Sequence, residues 1–454
     1  MSIPVIAIFD VGKTNKKLFL FNEAYEIVYE NAINTHEIVD EDGFPCDSID
    51  ELNKWLIDSL ENTGLDKRFV IKALNFSGYG ASFALVNAEG NSIAPLYNYL
   101  KPFPNVLLEL FYDNYGGKKE FSKIAASPVL GNLNSGMQLY FLKYEKPLIF
   151  EKIVHALHLP QYLSSVFTKK YFSEITSVGC HTNMWDFTQN KYHHWMEKEG
   201  IDEKIDTIAP SDFTTTIDQI EIGIGLHDSS AALIPYLKSK LDTEQFILIS
   251  TGTWCISLNP FSDNSLTDND LENDCLSFLQ YNGKPVKASR VFAGQFHEDQ
   301  TKRIAKHFGV ENDFYKTIKF EKYLLVNDKK VISSDLKVSL NSCDFESENL
   351  IDFTSIEVAY HQLISDLVRQ QVFSTNFVLD KNNTPTTIYV DGGFSKNEIY
   401  MNLLSMQYPD NEVFGAEVAQ ASALGAALIL HSKWNRYSIP KNLITLKKYN
   451  HAQL

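Results

Sequence analysis

The chain opens on apolar runs broken by short polar turns. Pro4 to Phe9, Lys17 to Phe21 and Glu26 to Tyr29 are three strand-like segments. Asp10 to Asn15 and Asn22-Glu23 are the turns between them, a spacing that predicts an antiparallel meander. A helix is expected over Ser48 to Glu61, where Ser48 and Glu51 are spaced as a capping box. Strands are expected near Phe69 to Phe76 and Phe83 to Val86. Further on, Phe246 to Ile249, the turn Ser250 to Thr253, and Trp254 to Leu258 repeat the strand–turn–strand pattern, a sign of internal duplication. Ile356 to Phe373 carries its apolar residues at helical spacing, and Thr354 with Glu357 reads as its capping box. Thr387 to Val390 reads as a buried strand ending in Asp391-Gly392-Gly393, with a helix from about Asn397. Ser262–Asp274 and Asn327–Asn349 read as polar, acidic loops. These patterns predict an α/β protein of two domains, 1–243 and 244–454.

With 454 residues, 44% of them hydrophobic, each half can bury a core of its own. Lys+Arg number 41 against 57 Asp+Glu, a net charge of −16. That excess argues against sequence-independent binding to nucleic acid or to anionic membrane. No apolar run reaches the roughly 20 residues of a membrane span; Ala421 to Leu430, the longest, reads as a core helix. Asp10 interrupts the apolar start, so no signal peptide is expected. Five widely spaced cysteines without a CxxC read as free thiols in a reducing, cytoplasmic setting, with no structural zinc. His193 and His194, beside Trp195, read as surface residues.

Four segments carry candidate chemistry. Asp10-Val11-Gly12-Lys13-Thr14-Asn15 can aim backbone N–H groups at phosphate oxygens, and Asp10 can hold Mg2+ directly or through water. It is not a Walker A loop, and a plain surface hairpin fits it as well. Ser250-Thr251-Gly252-Thr253 can embrace the same phosphates from the other half, though any hairpin can have this composition. Gly392-Gly393 at a strand end lets backbone approach a flat ligand, or simply makes a tight turn capped by Asn397. Gly225-Leu226-His227-Asp228 followed by small residues suits a carboxylate at a helix start. Asp228 is either a base for a substrate hydroxyl or an N-cap.

In this order and spacing, the four segments resemble the FGGY carbohydrate kinases, of the actin-like (ribonuclease H-like) ATPase fold. The segments His155 to Ser164, Glu174 to Ser177, Trp185-Asp186 and His227 to Ala231 look like the rhamnulokinase and fuculokinase branch. The resemblance implies two α/β domains flanking a cleft. It also implies transfer of phosphate from ATP with Mg2+ to a sugar hydroxyl, with L-rhamnulose or L-fuculose the first expectation. Xylulose, ribulose or another polyol is the alternative, as is a catalytically weak sugar-binding regulator. Carried over residue by residue, Asp228 matches the catalytic base and Asp10 the metal residue. Gly12, Thr14, Lys17, Gly252 and Thr253 match the phosphate loops, with Lys17 where many relatives carry Arg. Gly294, Glu298, Gly392, Gly393 and Asn397 match adenosine-binding positions, although Glu298 replaces a more usual Gln. Tyr79, Gly80, Ser82, His227 and Asp228 match the sugar pocket. There Ser82 replaces an Asp, and Tyr97-Asn98-Tyr99 stands for a Tyr-Arg-Asp pattern. Implied partners are the small sugar alone, with no nucleic acid and no membrane, in a monomer or homodimer.

Overall fold

The computed structural model describes residues 2–13, 15–239, 245–324, 338–340, 342–379, 386–418 and 420–450. Thr14, residue 243 at the expected domain boundary, and part of the expected loop 327–349 lie outside the described residues.

The opening meander is β1 (Ile3–Val11), β2 (Lys16–Asn22) and β3 (Ile27–Ile33). Helix α1 (Ile49–Leu65) follows and leads into β4 (Phe69–Gly78). After α2 (Leu159–Thr168) come the hairpin strands β5 (Thr214–Ile217) and β6 (Ile220–Gly223), then α3 (Asp228–Lys238). The first sheet runs β5-β6-β4-β1-β2-β3, with Leu226–His227 also paired to β4. β1 lies parallel to β4 and antiparallel to β2.

The second half repeats this plan. It holds β7 (Phe246–Thr251), β8 (Cys255–Asn259), β9 (Cys275–Leu279), β10 (Pro285–Val291) and α4 (Ala293–Phe308). Next come α5 (Ile356–Thr375), β11 (Thr387–Gly392), α6 (Glu398–Gln407), β12 (Val413–Glu417), α7 (Ala421–Ile429) and β13 (Thr445–Tyr449). The second sheet runs β9-β10-β8-β7-β11-β12-β13. β7 pairs antiparallel with β8 and parallel with β11, as β1 does with β2 and β4. The duplication expected from sequence is thus a shared connectivity around one central strand.

β1 reads as an unbroken apolar run because both its faces are covered. Phe9 and Val11 pack toward Leu52, Trp55 and Leu56 of α1. Ile6 and Ile8 face a layer made by Ala231 and Ile234 of α3 and by Ala423 to Leu430. α3 also reaches the second sheet, where Leu233 and Tyr236 join Phe246, Leu248 and Tyr389. Thus α3 lies between the two sheets, and α7 packs beside it on the first. Asn75 on β4 donates to the Ala426 carbonyl at 2.8 Å, pinning α7 to the first sheet.

Local details depart from expectation at several points. Ser48 caps α1, accepting from the Glu51 N–H at 3.2 Å, but the Glu51 side chain reaches His36 rather than closing a box. The cap of α5 is Ser355, which accepts from Val358, not Thr354. The loop 262–274 contains a short helix, Asp268–Glu272, begun by a true capping box of Thr267 and Asp270. His193 is buried, not at the surface: its ring lies 4.5 Å from that of Phe121, and burial lowers its pKa to about 4. All five cysteines are free and buried.

Candidate active site

The hairpin between β1 and β2 closes through the Gly12 N–H, which donates to the Asn15 carbonyl at 2.9 Å. Asp10 and Lys17 are cross-strand partners and so share a face. Lys17 reaches Glu30 at 3.3 Å, while Lys16, one residue along, turns under the sheet. There Lys16 and Lys13 converge on the buried Asp47, at 3.6 and 2.8 Å. Burial is the main reason the Asp10 carboxyl is pushed up to about 6; Asp228 adds to this, and the Ser422 hydroxyl, donating at 2.9 Å, opposes it.

Asp228 is the first residue of α3, with His227 as the cap residue before it. Its Oδ1 accepts from the Ser229 N–H at 2.6 Å and lies 3.4 Å from His227 Nε2. Its side chain remains 33% exposed, enough for a hydroxyl to reach it. Tyr99, half-buried, feels the charges of both Asp228 and Asp47, which with burial raise its phenol pKa. Tyr79 donates to Asp47 at 3.2 Å. Ser82 is fully buried and donates to the Tyr97 carbonyl at 2.8 Å, so its hydroxyl is already engaged in the backbone. Asn98 likewise caps its own turn, accepting from Leu100.

The nucleotide-side residues gather around one pocket of about 850 Å³. Gly252, Thr253, Gly294, Glu298, Gly393 and Asn397 line it, as do His297, Tyr315 and Lys396. Three backbone turns meet at its edge. A Cβ on Gly294 would lie 1.8 Å from the Gly252 oxygen, and one on Gly392 would lie 2.0 Å from the Thr251 oxygen. Gly393, by contrast, faces open space. Asn397 caps α6 through Oδ1 and donates through Nδ2 to the Tyr360 hydroxyl at 2.7 Å. Glu298 pairs with Lys302 at 2.6 Å on the pocket rim.

Sequence reasoning missed Ser422, Asp47, Lys13, His181 and His297. Ser422 lies more than four hundred residues from Asp10, and no local pattern connects them. Lys13, inside the singled-out hairpin, was visible but had no partner to reveal its role.

Residues 5–234 match the N-terminal domain of the FGGY family of carbohydrate kinases. This chain belongs to that family. As an FGGY kinase it is a carbohydrate-phosphorylating enzyme, and family membership implies ATP use. A curated relative, a rhamnulokinase of Oceanobacillus iheyensis, is 21% identical over 431 residues, covering 87% of this chain and 85% of that protein. Among solved structures, a carbohydrate kinase from Novosphingobium aromaticivorans superposes with a TM-score of 0.78 at 18% identity, covering 99% of this chain and 95% of the other. A ligand-bound xylulose kinase from Lactobacillus acidophilus superposes with a TM-score of 0.74 at 13% identity, covering 99% and 94%. At such identities the structural likeness carries the fold: two actin-like domains flanking a cleft. Among the described residues, no helix is long and apolar enough to cross a membrane.

Proposed function

We propose that this FGGY kinase transfers the γ-phosphoryl group of ATP to a hydroxyl of a neutral ketose, with Asp228 as the general base. The observation that carries this reading is the placement of Asp228. It is a partly exposed carboxylate at the start of α3, held by the Ser229 amide, beside His227 and Tyr99. Held so, Asp228 accepts the hydroxyl proton as the sugar oxygen bonds to phosphorus and the bond to ADP breaks. Such general-base help is worth about 10²–10⁴-fold, and positioning supplies much of the rest. The phosphates lie between the Gly12 turn and the Gly252-Thr253 turn, and the adenosine lies against Gly393.

A metal ion fits the hard oxygen donors near Asp10, where the carboxylate and the Ser422 hydroxyl come together. Mg2+ bound there would offset charge on the phosphate oxygens. The choice of a ketose is supported by the rhamnulokinase relative.

ADP release with Mg2+-ATP, measured against rhamnulose, fuculose, xylulose, ribulose and gluconate, tests the substrate. Asp228→Asn tests the base: turnover on the best sugar should fall by about 10²–10⁴-fold while ATP still binds. Turnover within threefold of the parent removes Asp228 from the role.

A further inference from the structure

Behind Asp228 lies a group of side chains that phosphoryl transfer does not use. Cys180, His181 and His227 each bring one donor atom to a common point, and these atoms lie within 4.8 Å of one another. They come from separate elements: Cys180 and His181 follow the short helix Ile175–Val178, and His227 precedes α3. Gly80 makes the room. A Cβ there would sit 2.7 Å from the His227 ring and 2.9 Å from the Cys180 sulfur.

The hydrogen bonds fix which nitrogens carry lone pairs. His181 Nδ1 lies 2.8 Å from the Leu133 carbonyl, which can only accept, so Nδ1 carries the proton and Nε2 is bare. Ser230 donates its hydroxyl to the Leu279 carbonyl at 3.2 Å. With that proton on the Leu279 carbonyl, the Ser230 oxygen accepts from His227 Nδ1, also at 3.2 Å, and His227 Nε2 is left free to bind a metal. That bare nitrogen points at the Asp228 carboxylate oxygen 3.4 Å away. A proton or a metal ion between that nitrogen and the carboxylate joins the two.

We propose that Cys180, His181 and His227 form a site for a borderline-soft divalent cation such as zinc, closed by the Asp228 carboxylate. The donor set is thiolate, two imidazoles and one carboxylate, which suits tetrahedral zinc and not magnesium. Zinc bonds of roughly 2.0–2.3 Å place donors about 3.3–3.7 Å apart, so the Cys180, His181 and His227 donors each move inward by less than about 1 Å. The carbonyl on His181 Nδ1 and the hydroxyl on His227 Nδ1 are the outer partners such ligands require. Partial exposure of Asp228 leaves an approach for the ion. On binding, the Cys180 thiol gives its proton to solvent and the sulfur bonds the metal. The protein then carries two chemically distinct cation sites, a hard one near Asp10 and a soft one behind Asp228.

An inhibitory consequence rests on the reading of Asp228 as the base; the binding does not. Zinc seated here occupies that carboxylate, so inhibition should weaken as sugar is raised and should not respond to Mg2+-ATP. The test uses the full chain with cobalt and zinc as probes. Cobalt should bind one per chain with a visible tetrahedral spectrum and a thiolate charge-transfer band, which zinc displaces. Cys180→Ser should abolish that band, and His181→Gln should weaken zinc at least tenfold by calorimetry. Absence of a stoichiometric cobalt spectrum in the parent protein, or the same spectrum in both variants, overturns the site. The band together with unimpaired turnover at saturating zinc leaves the site standing and overturns the inhibitory consequence, and Asp228→Asn then reports separately on the base.

Discussion

Gly392 and Gly393 look alike in sequence but answer different physical demands, and two substitutions separate them. Gly392 has φ of +86°, and a Cβ there would lie 2.0 Å from the Thr251 carbonyl oxygen, its register partner across the sheet. An ordinary contact is about 3.4 Å, so Gly392→Ala must push the strands apart by more than an ångström. They are held together here, since the Thr251 hydroxyl donates to the Asp391 carbonyl and accepts from the Phe394 N–H at 3.0 Å. A backbone at φ +86° and ψ −151°, open essentially to glycine alone, costs an alanine about 1–3 kcal/mol and the overpacking about 1–3 kcal/mol more. Gly392→Ala should therefore lose about 2–6 kcal/mol of stability, read as a lower denaturant midpoint. At Gly393 no atom lies within 4 Å of the added Cβ, so Gly393→Val should fold within about 1 kcal/mol of the parent. Its branched side chain instead enters the pocket of about 850 Å³ where the adenosine is placed. ATP affinity, measured by calorimetry on the folded variant, should drop at least tenfold, which is about 1.4 kcal/mol. Parental ATP affinity in Gly393→Val would refute the placement of the nucleotide. Parental stability in Gly392→Ala would refute the packing argument.

Two further outcomes concern carboxylates. Ser422→Ala removes the hydrogen bond that favours the charged Asp10, whose pKa burial already pushes up to about 6. The acid limb of kcat/KM for Mg2+-ATP should move to higher pH, and an unmoved limb would detach Asp10 from nucleotide use. Asp366 on α5 is raised to about 6 by burial, against the pull of Arg369, and its Oδ2 is buried without a hydrogen bond. The unfolded chain ionises this group near pH 4, so the folded state loses stability as pH climbs from about 4 to 6, by roughly 3 kcal/mol at most. Asp366→Asn should match the parent near pH 4 and exceed it at pH 7 in urea midpoint; the same pH slope in both proteins would refute the linkage.

Much of the fold was legible because its signals are local. Central strands covered on both faces need apolar residues throughout, and β1 and β7 carry them within a few residues of the expected bounds. α7 was legible because a helix packed against both the first sheet and α3 is apolar almost all round. Several details turn on neighbouring residues that offer the same chemistry, where only the third dimension chooses. Thr354 and Ser355 are both able to cap, and the backbone enters the helix at Ser355. Lys16 and Lys17 differ by one step in a period-two strand, which sends Lys17 to Asp10's face and Lys16 to Asp47. His193 looks polar in a polar stretch, but the aromatic cluster of Phe121 and Trp195 buries it.

The candidate site divides along the same line. Its turns were legible because an Asp at a strand end, paired glycines and a Gly-x-x-Asp segment are short-range demands written in consecutive residues. The partners that tune those turns were not. Ser422 reaches Asp10 from α7, and Cys180 and His181 reach His227 across nearly fifty residues of chain. A motif thus specifies where a reactive group stands, while the residues that set its charge are chosen by packing between distant segments. The double glycine shows the limit most plainly. One glycine is required by the Thr251 carbonyl of the neighbouring strand, the other is left open toward the pocket, and nothing in the pair of letters tells which is which.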